Sequence, residues 1–434
     1  MMKNIFYIKD LLKIAFPIIM GNIGFIMIGA TDVIVAGRHS TDTLAAISLA
    51  TAITNCIMML GIGILSSISA ILSNYRGKGI SINKYFFQSL KFAFILACII
   101  SLMIFACIPV VDKLGFATNL VSIIKEYLFI TAFTTFGAYL HCSAKEYLQA
   151  FEIVIFPNLI TIISIFINLF LNIIFVFGYG FIPEMGAVGL AVATLITRYF
   201  MGVALLIYCL IKTKLVRYFD KKYYKDLLKV GFPASIAVMI EFVGFNIIGI
   251  IMGRVDSIYA AAHMVLCTFA NISFMVPLAI SNATAVKVGY CNGAKYQKSL
   301  KKYAYTGLKL SVIFMFCVAI TYALVPKFLL SLFTPDKNLI LICIPLMYIL
   351  AAFQTCDGMQ VTLAGIFKGL KRTKIVMISN FISYWLIAFP IGYLLAFKFK
   401  LNLFGFWTAL LFSSTILCIM MLITMQHKFN KMEK

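Results

Sequence analysis

Three carboxylates stand where an apolar residue would be expected. Asp32, Glu241 and Asp357 each fall inside a long apolar run. At the centre of a membrane helix such a group costs about 2.5–3.5 kcal/mol on insertion scales, a cost that an apolar residue avoids. Carboxylates so placed bind protons, metal cations or organic cations. One charge cannot hold a coupling ion and a substrate together, so each tends to expel the other, as an antiporter requires. A plainer reading also stands: a helix-end carboxylate, or a structural pair with a basic residue.

Neutral oxygens accompany these acids. Asn168 and Asn172 lie four residues apart and so share one helical face. Amide oxygens beside a carboxylate suit sodium, because hard cations take oxygen ligands, and Thr194 can add a hydroxyl. Asp32, Asn168 and Asn172 are therefore the candidate metal ligands, for sodium. The alternative is that buried Asn and Thr tie helices together by hydrogen bonds. Gln354 and Gln360 flank Asp357 three residues either side. With Asp32, Glu241 and Asp357 they form the candidate substrate-binding set. Arg198, one turn after Thr194, is a basic residue close to a cation site. It can pair with a carboxylate, reach the interface or meet an anionic substrate. Pro277 and Pro390 fall inside apolar runs and should bend them, freeing carbonyls.

The elements that hold these residues follow from composition. Of 434 residues, 62% are hydrophobic and 12% charged, against roughly half and a quarter in soluble domains. That excludes a set of soluble domains, disorder and a disulfide scaffold. Runs of about 20 apolar residues, enough to cross the hydrocarbon, occur twelve times. They lie at roughly 11–36, 44–72, 88–111, 126–150, 157–180, 186–211, 227–252, 258–286, 303–326, 338–366, 374–397 and 403–426. Continuous rather than alternating hydrophobicity makes them helices and not barrel strands. The expected class is an all-α membrane protein.

The net charge of +22, from 37 Lys and Arg against 15 Asp and Glu, is distributed by linker. One side carries Lys3, Lys9 and Lys13, then Arg76, Lys78 and Lys84, then the stretch from Lys212 through Lys214 and Arg217 to Lys229. It continues with Lys287 to Lys302, Lys368 to Lys374, and Lys428, Lys431 and Lys434. The positive-inside rule makes that side cytoplasmic, with both termini inside. The basic stretches are short, lack interleaved aromatics and sit at helix ends, so nucleic acid is not the expected partner; the lipid bilayer is. The first run is too long for a signal peptide and no Ala-x-Ala-like site follows it.

The chain also repeats itself. Leu11-Leu12-Lys13-Ile14-Ala15-Phe16-Pro17 returns as Leu227-Leu228-Lys229-Val230-Gly231-Phe232-Pro233, an offset of 216. The same offset maps Gly37-Arg38 to Gly253-Arg254, Ala45-Ala46 to Ala261-Ala262, Asn55 to Asn271 and Gly77 to Gly293. The last thirds agree weakly, near offset 219, pairing Gly186 with Gly405. Six spans per half is an even number, so the halves are parallel repeats. The expected organisation is a six-helix bundle over 1–211, a cytoplasmic linker over 212–226 and a second bundle over 227–434. Two such bundles would enclose a central cleft, and a monomer suffices.

These features together resemble the multidrug and toxic compound extrusion family, over essentially the whole chain. The matching stretches are Phe16-Pro17 with Asp32, Ala36-Gly37-Arg38 and Leu44-Ala45-Ala46, then Gly186-Ala187-Val188-Gly189 with Ala193-Thr194. In the second half they are Gly231-Phe232-Pro233 with Glu241, Ala261-Ala262-His263 leading to Phe274-Met275-Val276-Pro277, and Asp357-Gly358-Met359-Gln360 leading to Gly369. The resemblance implies export of organic cations in exchange for sodium ions or protons, with no other cofactor. Asp32, Asn168, Asn172 and Thr194 match the family's first cation site. Glu241 and Asp357 match the coupling acids of its norfloxacin-exporting branch. Two positions depart from the pattern: Phe353 stands where sodium-coupled members would carry Tyr, and Arg198 places a basic residue close to the cation site. Sodium and proton both stay open as the coupling ion.

Other functions find less in the sequence. No G-x-x-x-x-G-K-[ST] motif occurs, so the expected energy source is a gradient. The eleven Cys are scattered and include no C-x-x-C pair, which reads as apolar filler. His141 and His263 are isolated, so an enzyme is not expected. A flippase for lipid-linked precursors, known from related families, is the alternative; its anionic headgroup would call for several basic groups where this chain offers Arg198 and three deep acids. The expected location is a bacterial cytoplasmic membrane.

Overall fold

The computed structural model describes residues 2–113, 115–213, 216 and 218–433. Of the basic residues above, Lys214, Arg217 and Lys434 lie outside the described residues. Twelve helices among those described are long and apolar enough to cross a membrane: α1 (Ile5–His39), α2 (Thr41–Gly77), α3 (Asn83–Lys113), α4 (Thr118–Ala150), α5 (Ile155–Phe177), α6 (Gly186–Lys212), α7 (Lys221–Val255), α8 (Ser257–Gly293), α9 (Gln297–Leu324), α10 (Lys337–Gly369), α11 (Thr373–Lys398) and α12 (Asn402–Met432). No strand occurs among the described residues. The all-α membrane class is as the apolar runs predict. Large apolar side chains such as Leu102, Phe166 and Phe170 remain exposed, as helices bathed in lipid require.

The repeat is visible in local chemistry. α1 ends where Ser40, in extended conformation, caps α2 by accepting from the Thr43 amide at 3.0 Å. At the same offset Asp256, also extended, caps α8 by accepting from the Ile258 amide at 3.0 Å. A short side-chain acceptor there satisfies an amide that the new helix leaves unpaired. Glycine packing carries offset 216 into the last spans. A Cβ on Gly189 would lie 2.5 Å from the Phe175 carbonyl oxygen, and one on Gly405 would lie 2.5 Å from the Ala396 backbone nitrogen. Each lets a helix start against the end of its predecessor, so Gly405 pairs with Gly189 rather than with Gly186.

Packing divides the chain into two compact units, Pro17–Ser235, and Met1–Phe16 with Ile236–Lys434. In the first, α4 packs against α2, α3 and α6; in the second, its repeat counterpart α10 packs against α8, α9 and α12. The first turns of α1 belong to the second unit and those of α7 to the first. Asp10 accepts from the Tyr303 hydroxyl at 2.5 Å and pairs with Lys287 at 2.8 Å. Its counterpart Asp226 accepts from the Tyr75 hydroxyl at 3.1 Å. Lys287, grouped above with the linker charges, is thus a buried residue of α8.

Candidate functional site

Each unit gathers candidate site residues around a carboxylate inside its spans. In Pro17–Ser235, α5 presents Asn158, Thr161, Ser164, Asn168 and Asn172 on a single buried stripe at helical spacing. Asn168 and Asn172 are completely buried. α1 brings Asp32 against them: Asn172 Nδ2 donates to Asp32 Oδ1 at 2.7 Å and to Asn168 Oδ1 at 3.1 Å. From α6, Thr194 Oγ1 donates to Asp32 Oδ2 at 3.2 Å. Asn168 Oδ1 also accepts from Thr31 Oγ1 at 2.8 Å. The structure therefore gathers Asp32, Asn168, Asn172 and Thr194 around one carboxylate. Thr31, adjacent to Asp32 in sequence, went unremarked there.

The cluster still has unused polar capacity. Asn172 Oδ1 and Asn168 Nδ2 are buried with no hydrogen-bond partner. Such groups are costly to leave unmade. An amide turned by half a rotation would present oxygen where it now presents nitrogen. Arg198 and Tyr127 lie within electrostatic reach of Asp32. The Arg198 guanidinium carbon stands 4.2 Å from the centre of the Phe25 ring, a cation–π placement. Among the described ion pairs none joins it to Asp32. Gly137 permits this position, because a Cβ there would lie 2.8 Å from the Arg198 backbone.

The second unit is arranged differently. Gln360 on α10 donates to Glu241 Oε2 on α7 at 3.0 Å and contacts the Tyr384 hydroxyl at 3.3 Å. The Tyr384 hydroxyl in turn reaches Gln360 Oε1 at 3.5 Å and lies within electrostatic reach of Glu241. Asp357, one turn before Gln360, is buried, lies within electrostatic reach of Glu241, and has an Oδ1 without a partner. Gln354 is buried; its Nε2 donates to Ser273 Oγ on α8 at 2.8 Å, and its Oε1 has no hydrogen-bond partner. Phe353 joins Phe245 and Trp407 in an aromatic cluster with ring centres 5.9–6.0 Å apart. His263 binds the Phe245 carbonyl at 2.9 Å.

Tyr384 was not singled out from sequence. It lies at offset 216 from Asn168, so the repeat could have found it. It sits in a π-helical stretch, Phe381–Ala388, and a second such stretch, Leu394–Lys398, follows Pro390. Proline cannot donate to the helical ladder, and wider turns re-satisfy the carbonyls it leaves, so the bend expected at Pro390 takes this form. Among the described residues no group of three or more His, Cys, Asp or Glu side chains gathers as a transition-metal site would.

Comparison with known proteins follows the same two-part pattern. The MatE family model matches twice, over residues 17–174 and 233–394, so its two matches begin at the repeat-related Pro17 and Pro233. The chain is 28% identical over 400 residues to the multidrug resistance protein NorM of Photobacterium profundum, covering 89% of this chain and 87% of that protein. It is 28% identical over 420 residues to a probable multidrug resistance protein NorM of Mesorhizobium japonicum, covering 93% and 90%. Its fold matches the crystal structure of a eukaryotic MATE transporter with a TM-score of 0.89 at 17% identity, covering 99% of this chain and 98% of that one. An outward-facing multidrug resistance MATE family transporter of the MOP superfamily matches at 0.89 and 18% identity, covering 99% and 97%.

Proposed function

The chain belongs to the MatE family, and from that premise we propose that it exports small organic cations in exchange for sodium ions or protons. It does so as a monomer in a bacterial cytoplasmic membrane, with both termini on the cytoplasmic side. The observation that carries this reading is that each unit holds a carboxylate cluster, around Asp32 in one and around Glu241 and Asp357 in the other, not neutralised by an ion pair among the described residues. NorM relatives named for multidrug resistance support the substrate class.

At the first cluster Asp32, Asn168 Oδ1 and the Thr194 hydroxyl supply hard oxygen donors for a sodium ion. A half-turn of the Asn172 amide adds its unpartnered Oδ1. A proton would instead settle on Asp32 itself. At the second, Glu241 and Asp357 lie within electrostatic reach of each other, so two unbalanced charges there repel in a medium of low dielectric. A coupling ion or the ammonium group of a substrate relieves that repulsion, and one arriving displaces the other. Gln360 and Tyr384 orient Glu241 for that exchange. Binding of the ion then favours release of the substrate, and transport proceeds by alternating access.

The test is efflux of an organic cation dye from proteoliposomes under imposed gradients. A sodium gradient with the proton gradient collapsed, or the reverse, should drive it and so identify the ion. Efflux indifferent to both gradients would overturn the proposal.

A further inference from the structure

Two thiols meet beside Asp357. Cys356 on α10 is half-buried and Cys418 on α12 is buried. Cys418 Sγ donates to the Cys356 carbonyl oxygen at 3.1 Å, which sets the second sulfur against the residue that carries the first. Cys356 Sγ also lies 3.5 Å from Thr415 Oγ1. Thr415 and Cys418, three residues apart, share a face of α12. The Thr415 hydroxyl donates to the Leu411 carbonyl at 2.9 Å, which leaves its oxygen to accept from the Cys356 thiol. Both sulfurs are thus held between two packed helices of one unit, and the next residue is a buried carboxylate.

We propose that Cys356 and Cys418 form a dithiol site for thiophilic trivalent arsenicals, and that its occupation arrests transport. Soft sulfur ligands select soft acceptors, and two thiols on facing helices offer both ligands at once. The reaction needs no oxidant. An arsenic(III) oxide, R–As=O, exchanges its bond to oxygen for two As–S bonds, and the oxygen leaves as water with the two thiol protons. The product staples α10 to α12 one residue from Asp357 and one turn from Gln360. It therefore holds in a single position the helix that carries half of the second cluster. The binding half stands without the transport reading; the arrest rests on it.

The full-length chain in proteoliposomes is treated with phenylarsine oxide, freed of excess reagent, digested and read by tandem mass spectrometry. The expected product is one phenylarsenic group joining the α10 peptide to the α12 peptide. It should be absent from Cys356→Ser and Cys418→Ser, and removed from the wild type by 2,3-dimercaptopropanol but not by 2-mercaptoethanol. Wild-type protein carrying the arsenical only on other cysteines, or on one of these two alone, would overturn the site. In parallel, treated wild type should lose most of its dye efflux, while treated Cys356→Ser keeps the rate of its untreated form. A bridge that forms without slowing efflux would overturn the arrest. Because the mass readout requires no transport, failure of the dithiol site and failure of the export reading are told apart.

Discussion

The two clusters occupy repeat-related bundles yet solve opposite problems. In the first unit a single acid, Asp32, is met on both oxygens by neutral donors, Asn172 and Thr194. In the second, Gln360 donates to Glu241 with the Tyr384 hydroxyl beside it, and the other acid, Asp357, has an Oδ1 without a partner. Offset 216 makes the exchange explicit: Asn168 corresponds to Tyr384, Phe25 to Glu241 and His141 to Asp357. The repeat conserves the helices, and the polar residues have been redistributed among them. The first acid has its charge met by an amide and a hydroxyl. A crowded pair of acids is organised to need a positive charge, whatever its source. Under the proposed exchange, the first cluster would take the coupling ion and the second would take either cation.

Substitutions can break this contrast. The largest effect is expected from Asp32→Asn, which removes the only charge in its cluster of hydrogen bonds; gradient-driven dye efflux should fall to that of protein-free vesicles. Next is Asn172→Ala. A hydrogen bond to a charged group is worth about 1.5–3 kcal/mol, so the coupling-ion concentration for half-maximal efflux should rise about tenfold or more. An unshifted value would mean that Asn172 has no part in ion binding. Tyr384→Phe removes one hydroxyl from a cluster that keeps Gln360. Its effect should be smaller, about threefold to tenfold on a net bond of about 1 kcal/mol, and should appear in the half-maximal dye concentration. Gln354→Leu should change neither parameter. Its amide holds Ser273, and losing that bond should register only as a lower melting temperature.

Much of this could be read from the chain. Twelve helices follow from apolar run length, and Asp32, Glu241 and Asp357 announce themselves by their cost in lipid. Asn168 and Asn172 share a face through plain helical spacing. What stayed hidden depends on which neighbour a side chain meets. Gln354 and Gln360 are equally distant from Asp357 in sequence, but one meets Ser273 on α8 and the other Glu241 on α7. Arg198 could pair, reach the interface or contact substrate; its place over Phe25 depends on how closely Gly137 lets α4 approach α6. The crossing of the first turns of α1 and α7 into opposite units carries no mark in the apolar pattern, where Leu11 and Leu227 are simply buried residues. Asp10 and Asp226, acids near the start of spans, mark those turns as having partners.

The central claim is that ion and substrate compete for the second cluster. Its most direct test is gradient-driven efflux of an organic cation dye by Asp357→Asn in proteoliposomes, beside a wild type reconstituted at equal density. The variant should retain its fold and its melting temperature within a few degrees while coupled efflux is lost. Coupled efflux at the wild-type rate would contradict the account.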